Sequence, residues 1–228
     1  MKKLLLLAAY VVLGTTVLTA QERDQDRIQD QDRTKLVMVD GEMLELRDRA
    51  QIRLMEQQTL QDGTVVHPDG SYQTRDGERL RLQNGECLDG DGIKYRNEYQ
   101  YRYKVNQENK GLVQNQVEER NQNRLQYMLI EGEMYRIENQ YQNRLQAQMN
   151  LAEGGSVQPD GTYQTKDRKQ LKLQDGECLN LDGQKFKNLL QHRKMVVQKN
   201  IQANKKMMMK TNVKKPVIQK KKAKKSTG

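Results

Sequence analysis

Between Leu36 and Gly92 the chain alternates apolar and polar positions in runs of four to six residues, LVMV, EMLEL, TVVH, SYQT and ERLRLQ. Turn dipeptides close these runs: Asp40-Gly41, Asp62-Gly63, Asp69-Gly70, Asp76-Gly77, Asn84-Gly85 and Asp91-Gly92. Glycine after Asp or Asn supplies the positive φ that a tight hairpin needs. Period-two alternation between such turns predicts a meander of short antiparallel strands. Residues 47–58, RDRAQIRLMEQQ, fit a short amphipathic helix as well as a strand. With strands on either side and no clear N-cap, a strand is expected.

Loop chemistry sets part of the register. If Pro68-Asp69-Gly70 is a three-residue loop with Gly70 in the left-handed region, Val66 faces Tyr72 and His67 faces Ser71. A like loop at Arg75-Asp76-Gly77 sets Tyr72 across from Leu80. Val66, Tyr72, Leu80 and Leu82 then share one face, and Gln73, Arg79 and Arg81 face away. Asn84-Gly85 leaves two registers open, Leu82 with Cys87 or Leu80 with Leu88, which put Cys87 on opposite faces.

The pattern then returns. PDGSYQTRDGERLRLQNGECLDGDG, residues 68–92, recurs as PDGTYQTKDRKQLKLQDGECLNLDG, residues 159–183, at a constant offset of 91 with no gap. Tyr72, Leu80, Leu82, Cys87 and Leu88 become Tyr163, Leu171, Leu173, Cys178 and Leu179, the mark of an internal duplication. The fold class is therefore mainly β: two tandem copies of a small antiparallel β-meander, repeat 1 over residues 36–95 and repeat 2 over 127–190. Repeat 2 departs where NQYQNRLQAQMN brings in helix formers and where Gly77 is replaced by Arg168. The polar linker between them, residues 96–126, is open to helix in part; at its start Tyr95, Tyr99, Tyr101 and Tyr103 fit an alternating strand.

Both ends differ from the repeats. Residues 1–20, MKKLLLLAAYVVLGTTVLTA, combine a basic start, a short apolar run and small residues before Gln21, which reads as a signal peptide for export to the periplasm or medium. Residues 21–35 hold too few apolar groups to offset chain entropy and read as a disordered polar spacer. Residues 191–228 read as a disordered polycationic tail.

Composition bounds the core. Hydrophobic residues make up 35% of the 228, with one Phe and no Trp, so the core is thin. A unit of about 60 residues is marginal alone, which predicts that the copies share a core or self-associate. The formal charge of +10 is unevenly placed. Residues 184–228 carry 15 Lys and Arg and no Asp or Glu, whereas residues 21–183 carry 23 basic residues against 30 acidic ones. An acidic body thus bears a basic tail.

The DG-E-M stretch, the PDG turn, the second DG turn, L-x-L and GEC, on a chain with an export signal, resemble the repeat called domain of unknown function 6799. That family comprises small secreted proteins of Bacteroidota, often with the unit in tandem. The resemblance covers residues 36–92 and 127–183 and implies a small β-rich secreted module, with no activity to carry over. This chain departs from the family by being rich in Gln, Arg and Glu where Lys and Met are expected.

Few side chains invite chemistry. Cys87 and Cys178 are a candidate disulfide between the repeats; pairing between chains and burial as free thiols are the other options. Asp89-Gly90-Asp91-Gly92 lacks the further oxygen ligands of a calcium loop and reads as a turn. His67 and His192 do not recur between the repeats, and no nucleophile or metal constellation accompanies them, so neither enzyme activity, a cofactor nor a metal is expected. Lys214, Lys215, Lys220, Lys221, Lys222, Lys224 and Lys225 form a dense cationic end able to hold polyanions by counterion release. The expectation is a secreted, non-enzymatic repeat protein, structural or adhesive at the cell envelope. Its tail would bind anionic envelope polymers or extracellular nucleic acid, its β repeats could self-associate, and no specific small molecule is called for. Two alternatives stay open: a periplasmic metal-binding or stress protein using Met207, Met208, Met209 and the cysteines, and a cell-wall glycan hydrolase.

Overall fold

The computed structural model describes residues 30–122 and 124–212. After a short helix, α1 (Asp30–Arg33), the first copy runs β1 (Thr34–Val39), β2 (Glu42–Arg53), β3 (Gln58–Thr59), β4 (Val65–Val66), β5 (Ser71–Gln73), β6 (Arg79–Arg81), β7 (Cys87–Asp89) and β8 (Lys94–Tyr95). Two helices follow, α2 (Glu98–Asn109) and α3 (Gln114–Asn121). The second copy repeats the order with β9 (Leu125–Ile130), β10 (Glu133–Arg144), β11 (Met149–Asn150), β12 (Ser156–Val157), β13 (Thr162–Gln164), β14 (Gln170–Lys172), β15 (Cys178–Asn180) and β16 (Lys185–Phe186), and ends in α4 (Leu189–Asn212).

The copies merge. One eight-stranded antiparallel sheet has the order β16-β15-β1-β2-β10-β9-β7-β8, so β15 of repeat 2 pairs with β1 of repeat 1 and β7 of repeat 1 pairs with β9 of repeat 2. Each copy keeps its own four-stranded sheet, β3-β4-β5-β6 or β11-β12-β13-β14. Here the loop-derived register holds: Val66 pairs with Tyr72, Tyr72 with Leu80, and the His67 N–H donates to the Ser71 carbonyl.

The small sheets pack on one face of the large sheet and the helices on the other. Leu36, Met38 and Met43 of repeat 1 pack with Leu145, Leu151, Val157, Tyr163 and Leu173 of repeat 2. Reciprocally, Tyr127, Leu129 and Met134 of repeat 2 pack with Leu54, Leu60, Val66, Tyr72 and Leu82 of repeat 1. On the helix face, Val37, Val39, Leu44 and Leu46 meet Cys178, Phe186 and Leu189, and Cys87, Tyr95, Tyr101 and Val105 meet Met128, Ile130 and Ile137. Every apolar cluster draws on both copies. Burial on both faces also explains why β1 reads as an unbroken apolar run, LVMV, rather than an alternating one.

The PDG turns are where each copy grips the other. Pro68 accepts a backbone hydrogen bond from Met134 at 2.9 Å, and Pro159 accepts one from Met43 at 3.1 Å. A Cβ on Gly70 would meet Leu129 Cδ1 at 2.5 Å, and one on Gly161 would meet Met38 Sδ at 2.7 Å. Both glycines also sit at positive φ, +86° and +83°, so the position needs glycine twice over.

Several expectations are corrected. Neither register offered across Asn84-Gly85 forms: β7 leaves the small sheet and pairs Cys87 with Tyr95 and Met128. Only Lys94 and Tyr95 continue as strand, because Asn97 caps α2 by accepting the Gln100 N–H, and Tyr99, Tyr101 and Tyr103 lie on that helix. The helix formers of repeat 2, residues 139–150, form no helix: 139–144 lie in β10, held by pairing with β2, and Met149 and Asn150 form β11. The spacer expected through residue 35 is ordered from Asp30, since Lys35 pairs with Asp48 and Asp32 with Lys199. Nor does a disordered tail begin at residue 191: Asn188 caps α4 by accepting the Gln191 N–H, and the helix continues to Asn212. Residues 1–20, expected to be a signal peptide, residues 21–29 and the expected tail from residue 213 lie outside the described residues.

Candidate functional site

The least expected feature of this sequence is a cluster of five charged side chains buried between the large sheet and the helices. Lys35, Asp48, Glu98, Arg102 and Arg193 are each exposed by 3% or less. Arg193, on α4, donates from Nη1 to Asp48 Oδ2 at 2.7 Å, from Nη2 to Glu98 Oε1 at 2.6 Å and from Nε to Glu98 Oε2 at 2.7 Å. Arg102, on α2, donates from Nη2 to Glu98 Oε1 at 2.9 Å and from Nη1 to Asn139 Oδ1 at 3.1 Å. Lys35 Nζ donates to Asp48 Oδ2 at 2.5 Å.

The 91-residue offset explains the arrangement. Arg102 and Arg193 are counterparts, as are Asp48 and Asn139, Lys35 and Gln126, and Glu98 and Leu189. Each arginine reaches the long strand of the opposite copy, Arg193 to Asp48 on β2 and Arg102 to Asn139 on β10. Repeat 1 supplies the carboxylates, and repeat 2 has amides or leucine in their place. The helices α2 and α4 therefore belong to the repeat unit, which their capping residues confirm: Asn97 and Gln100 are matched by Asn188 and Gln191.

Three cations face two anions, and the surplus falls on Lys35. Its amine is pushed down to about 8 by burial and by the nearby Arg193 charge, against the pull of Asp48 and Glu98. Burial also disfavours charge on the acids, yet the surrounding cations together outweigh it, Arg193 foremost. With Lys35 it holds Asp48 well below the carboxylate range, and with Arg102 it holds Glu98 down to about 2. Arg193 is kept above its ordinary value by the same two carboxylates in spite of its burial. Beside them His192 stacks edge-on against Phe186 at 5.2 Å; burial, then the charges of Lys35 and Arg193, push it down to about 3, so the ring is neutral.

The residues expected to carry chemistry fall elsewhere. Cys87 and Cys178 are free and buried, on strands β7 and β15, five steps apart in the sheet order. That places them about 24 Å apart at the usual strand spacing, against a limit of about 7 Å between Cα atoms for a disulfide. The candidate bridge is thus corrected: both are small apolar fillers of the helix face, with thiols pushed up to about 12 by burial. Asp89 ends β7 and holds the turn after it: its Oδ1 accepts the N–H groups of Asp91 and Ile93, and Tyr95 and Lys104 donate to Oδ2. Met195 packs half-buried against the Cys178 cluster. Lys214, Lys215, Lys220, Lys221, Lys222, Lys224 and Lys225 lie outside the described residues, but the helix that leads to them is described. After the Lys199–Asp32 ion pair at 2.7 Å, no described side chain of α4 is buried; Ile201 and Met209 are exposed, as are Lys205 and Lys206.

Sequence reading missed the buried ionic cluster because Lys, Asp, Glu and Arg are surface residues by default. One signal could have found part of it: extending the 91-residue comparison past Gly183 aligns Asn97, Gln100 and Arg102 with Asn188, Gln191 and Arg193. A model of the Domain of unknown function (DUF6799) family matches residues 33–93 and 126–184, more than half of the chain. The chain belongs to this family. Within this DUF6799 protein the structural repeat is longer than the matched unit, since the capped helix after each unit recurs as well. No curated protein and no solved structure matches the chain.

Removing Arg193 leaves Asp48 without its main partner and Glu98 with only Arg102. Arg193→Leu should therefore cost about 3–5 kcal/mol, read as a lower urea midpoint. Lys35→Gln installs the amide that stands at position 126 and should cost about 1 kcal/mol or less, since Asp48 keeps Arg193.

Acid should act in two steps. An unfolded His192 takes a proton near its ordinary 6.5, whereas the folded one resists until about 3, so stability falls as pH drops through that window, by up to about 1.4 kcal/mol per pH unit. Glu98, depressed to about 2, adds a loss below 4.5. In His192→Phe the decline between pH 6.5 and 4.5 should vanish while the decline below it stays, as measured by urea unfolding across that range.

Proposed function

We propose that this protein is exported and works without catalysis at the cell envelope, as a structural or adhesive element that holds polyanions through its basic C-terminal end. One observation carries the reading: α4 is fixed at its start, and beyond Lys199 none of its described side chains is buried. Arg193 ties its first turns to Asp48 and Glu98 in the buried cluster, and Val196 and Val197 are buried with it. From Gln198 to Asn212 the helix runs about 22 Å further, at 1.5 Å per residue, and the chain continues into the lysine cluster. A rigid acidic body with a cationic arm fits attachment by charge. The basic-apolar start of the chain supports export.

Polyanion capture driven by counterion release needs no shaped site and is steeply salt-dependent. The partners proposed are anionic envelope polymers, such as phosphorylated glycolipids and acidic glycans, or extracellular nucleic acid. Changing Lys214, Lys215, Lys220, Lys221, Lys222, Lys224 and Lys225 to Gln should weaken retention on heparin or lipopolysaccharide about tenfold or more at low salt and flatten its salt dependence. Equal retention of the variant would remove the basis of this reading.

A further inference from the structure

The two copies differ at one concave spot. In repeat 1 the loop between β3 and β4 closes on itself. Asp62 accepts hydrogen bonds from the Thr64 backbone N–H at 3.0 Å and from its hydroxyl at 2.7 Å. Its carboxylate lies against Gly92, where an added Cβ would meet Oδ2 at 2.3 Å. The counterparts in repeat 2 are Glu153, Gly155 and Gly183. Glu153 turns outward to Lys166 Nζ at 3.1 Å, the Gln164 carbonyl oxygen stands where a Cβ on Gly155 would be, at 2.5 Å, and an added Cβ on Gly183 would meet only Leu151 Cδ1, at 3.4 Å.

A cavity of about 310 Å³ lies beside this loop in the second copy, where the Asp62 carboxylate of the first copy has no counterpart, lined by Gly155, Gly183, Gln164, Lys166, Asp167 and Asp182 among others. Gly155 is buried. Its N–H matches the Thr64 N–H that Asp62 accepts, and it has no acceptor among the described residues. The surrounding framework is unchanged: Leu151 donates to Gly155 and Gly154 to Leu151, as Leu60 does to Thr64 and Gly63 to Leu60. The opening is therefore a local substitution on an intact loop.

We propose that this cavity binds a neutral, hydroxyl-rich ligand of about one sugar ring, such as a single residue of a glycan. The lining decides the class. Glu153, Asp167 and Asp182 outnumber Lys166, and that negative balance opposes a carboxylate or phosphate. The open N–H of Gly155 calls for an acceptor, which an ammonium ligand lacks. A hydroxyl group both accepts and donates, so a polyol can take the Gly155 N–H while giving its own protons to Asp167, Asp182 and the Gln164 carbonyl oxygen. The cavity is at the small end of the range for small-molecule sites and has no aromatic platform, so binding is weak, about millimolar. It is independent of the lysine tail.

The test is saturation-transfer NMR on the whole mature protein with glucose, galactose and N-acetylglucosamine, and with acetate and methylammonium as charged probes. At least one neutral sugar should give a signal and the charged probes none. Glu153→Asp restores the shorter carboxylate that accepts the matching N–H in repeat 1 and should abolish the signal. Asp62→Glu with Thr64→Gly opens the twin cavity in repeat 1 and should raise the number of bound sugars from one to two; circular dichroism checks that each variant folds. No sugar signal in the native protein, a sugar signal that survives the closing variant, or binding of acetate or methylammonium instead would overturn the proposal.

Discussion

Glu98 is shared by two guanidinium groups, one from its own helix and one from the opposite copy, in a place with almost no exposure to solvent. Taking five charges out of water costs several kcal/mol per ion, and only near-complete pairing offsets that cost. Pairing here is possible only when α2, α4, β1 and β2 are all in place, because the partners of Arg193 come from the other copy. A chain with the two repeats docked in another way would bury or strand these charges. The cluster thus adds little to stability by itself and penalises alternatives strongly.

The apolar arrangement follows the same rule of exchange. Neither copy closes a core of its own; each lays its small sheet on the other's hairpin and sends a strand to the other's edge. That is how a chain with one Phe and no Trp, built from units of about 60 residues, escapes the surface-to-volume limit of small domains. The two-sided burial of β1 and the positive-φ glycines of the PDG turns are consequences of that docking. So is the position of α4, whose anchored first half gives the basic C-terminal end a fixed point of departure.

Much of the local structure was legible in the sequence. The Asp-Gly turns, the pairing of Val66 with Tyr72 and Tyr72 with Leu80, and the duplication all follow from residue types with fixed backbone demands. What was illegible is what depends on the partner copy. Cys87 pairs with Met128, a residue 41 positions away, and no turn chemistry at Asn84-Gly85 could reveal that. The helices were obscured because α2 is amphipathic only weakly and buries Arg102, Glu98 and Asn106, which read as solvent-facing until their partners are known. The cavity near Gly155 was invisible for a plainer reason: a glutamate replacing an aspartate looks conservative unless the Asp62 carboxylate is seen closing its loop on Thr64.

The claim on which the rest stands is that the two copies form one cooperative body. Native-state hydrogen exchange across increasing urea tests it on the whole chain. The amides of Cys87–Asp89 and Cys178–Asn180, and those of the paired strands β2 and β10, should open with one common free energy equal to that of global unfolding. Opening of one repeat's strands at distinctly lower free energy, with the other still protected, would contradict it.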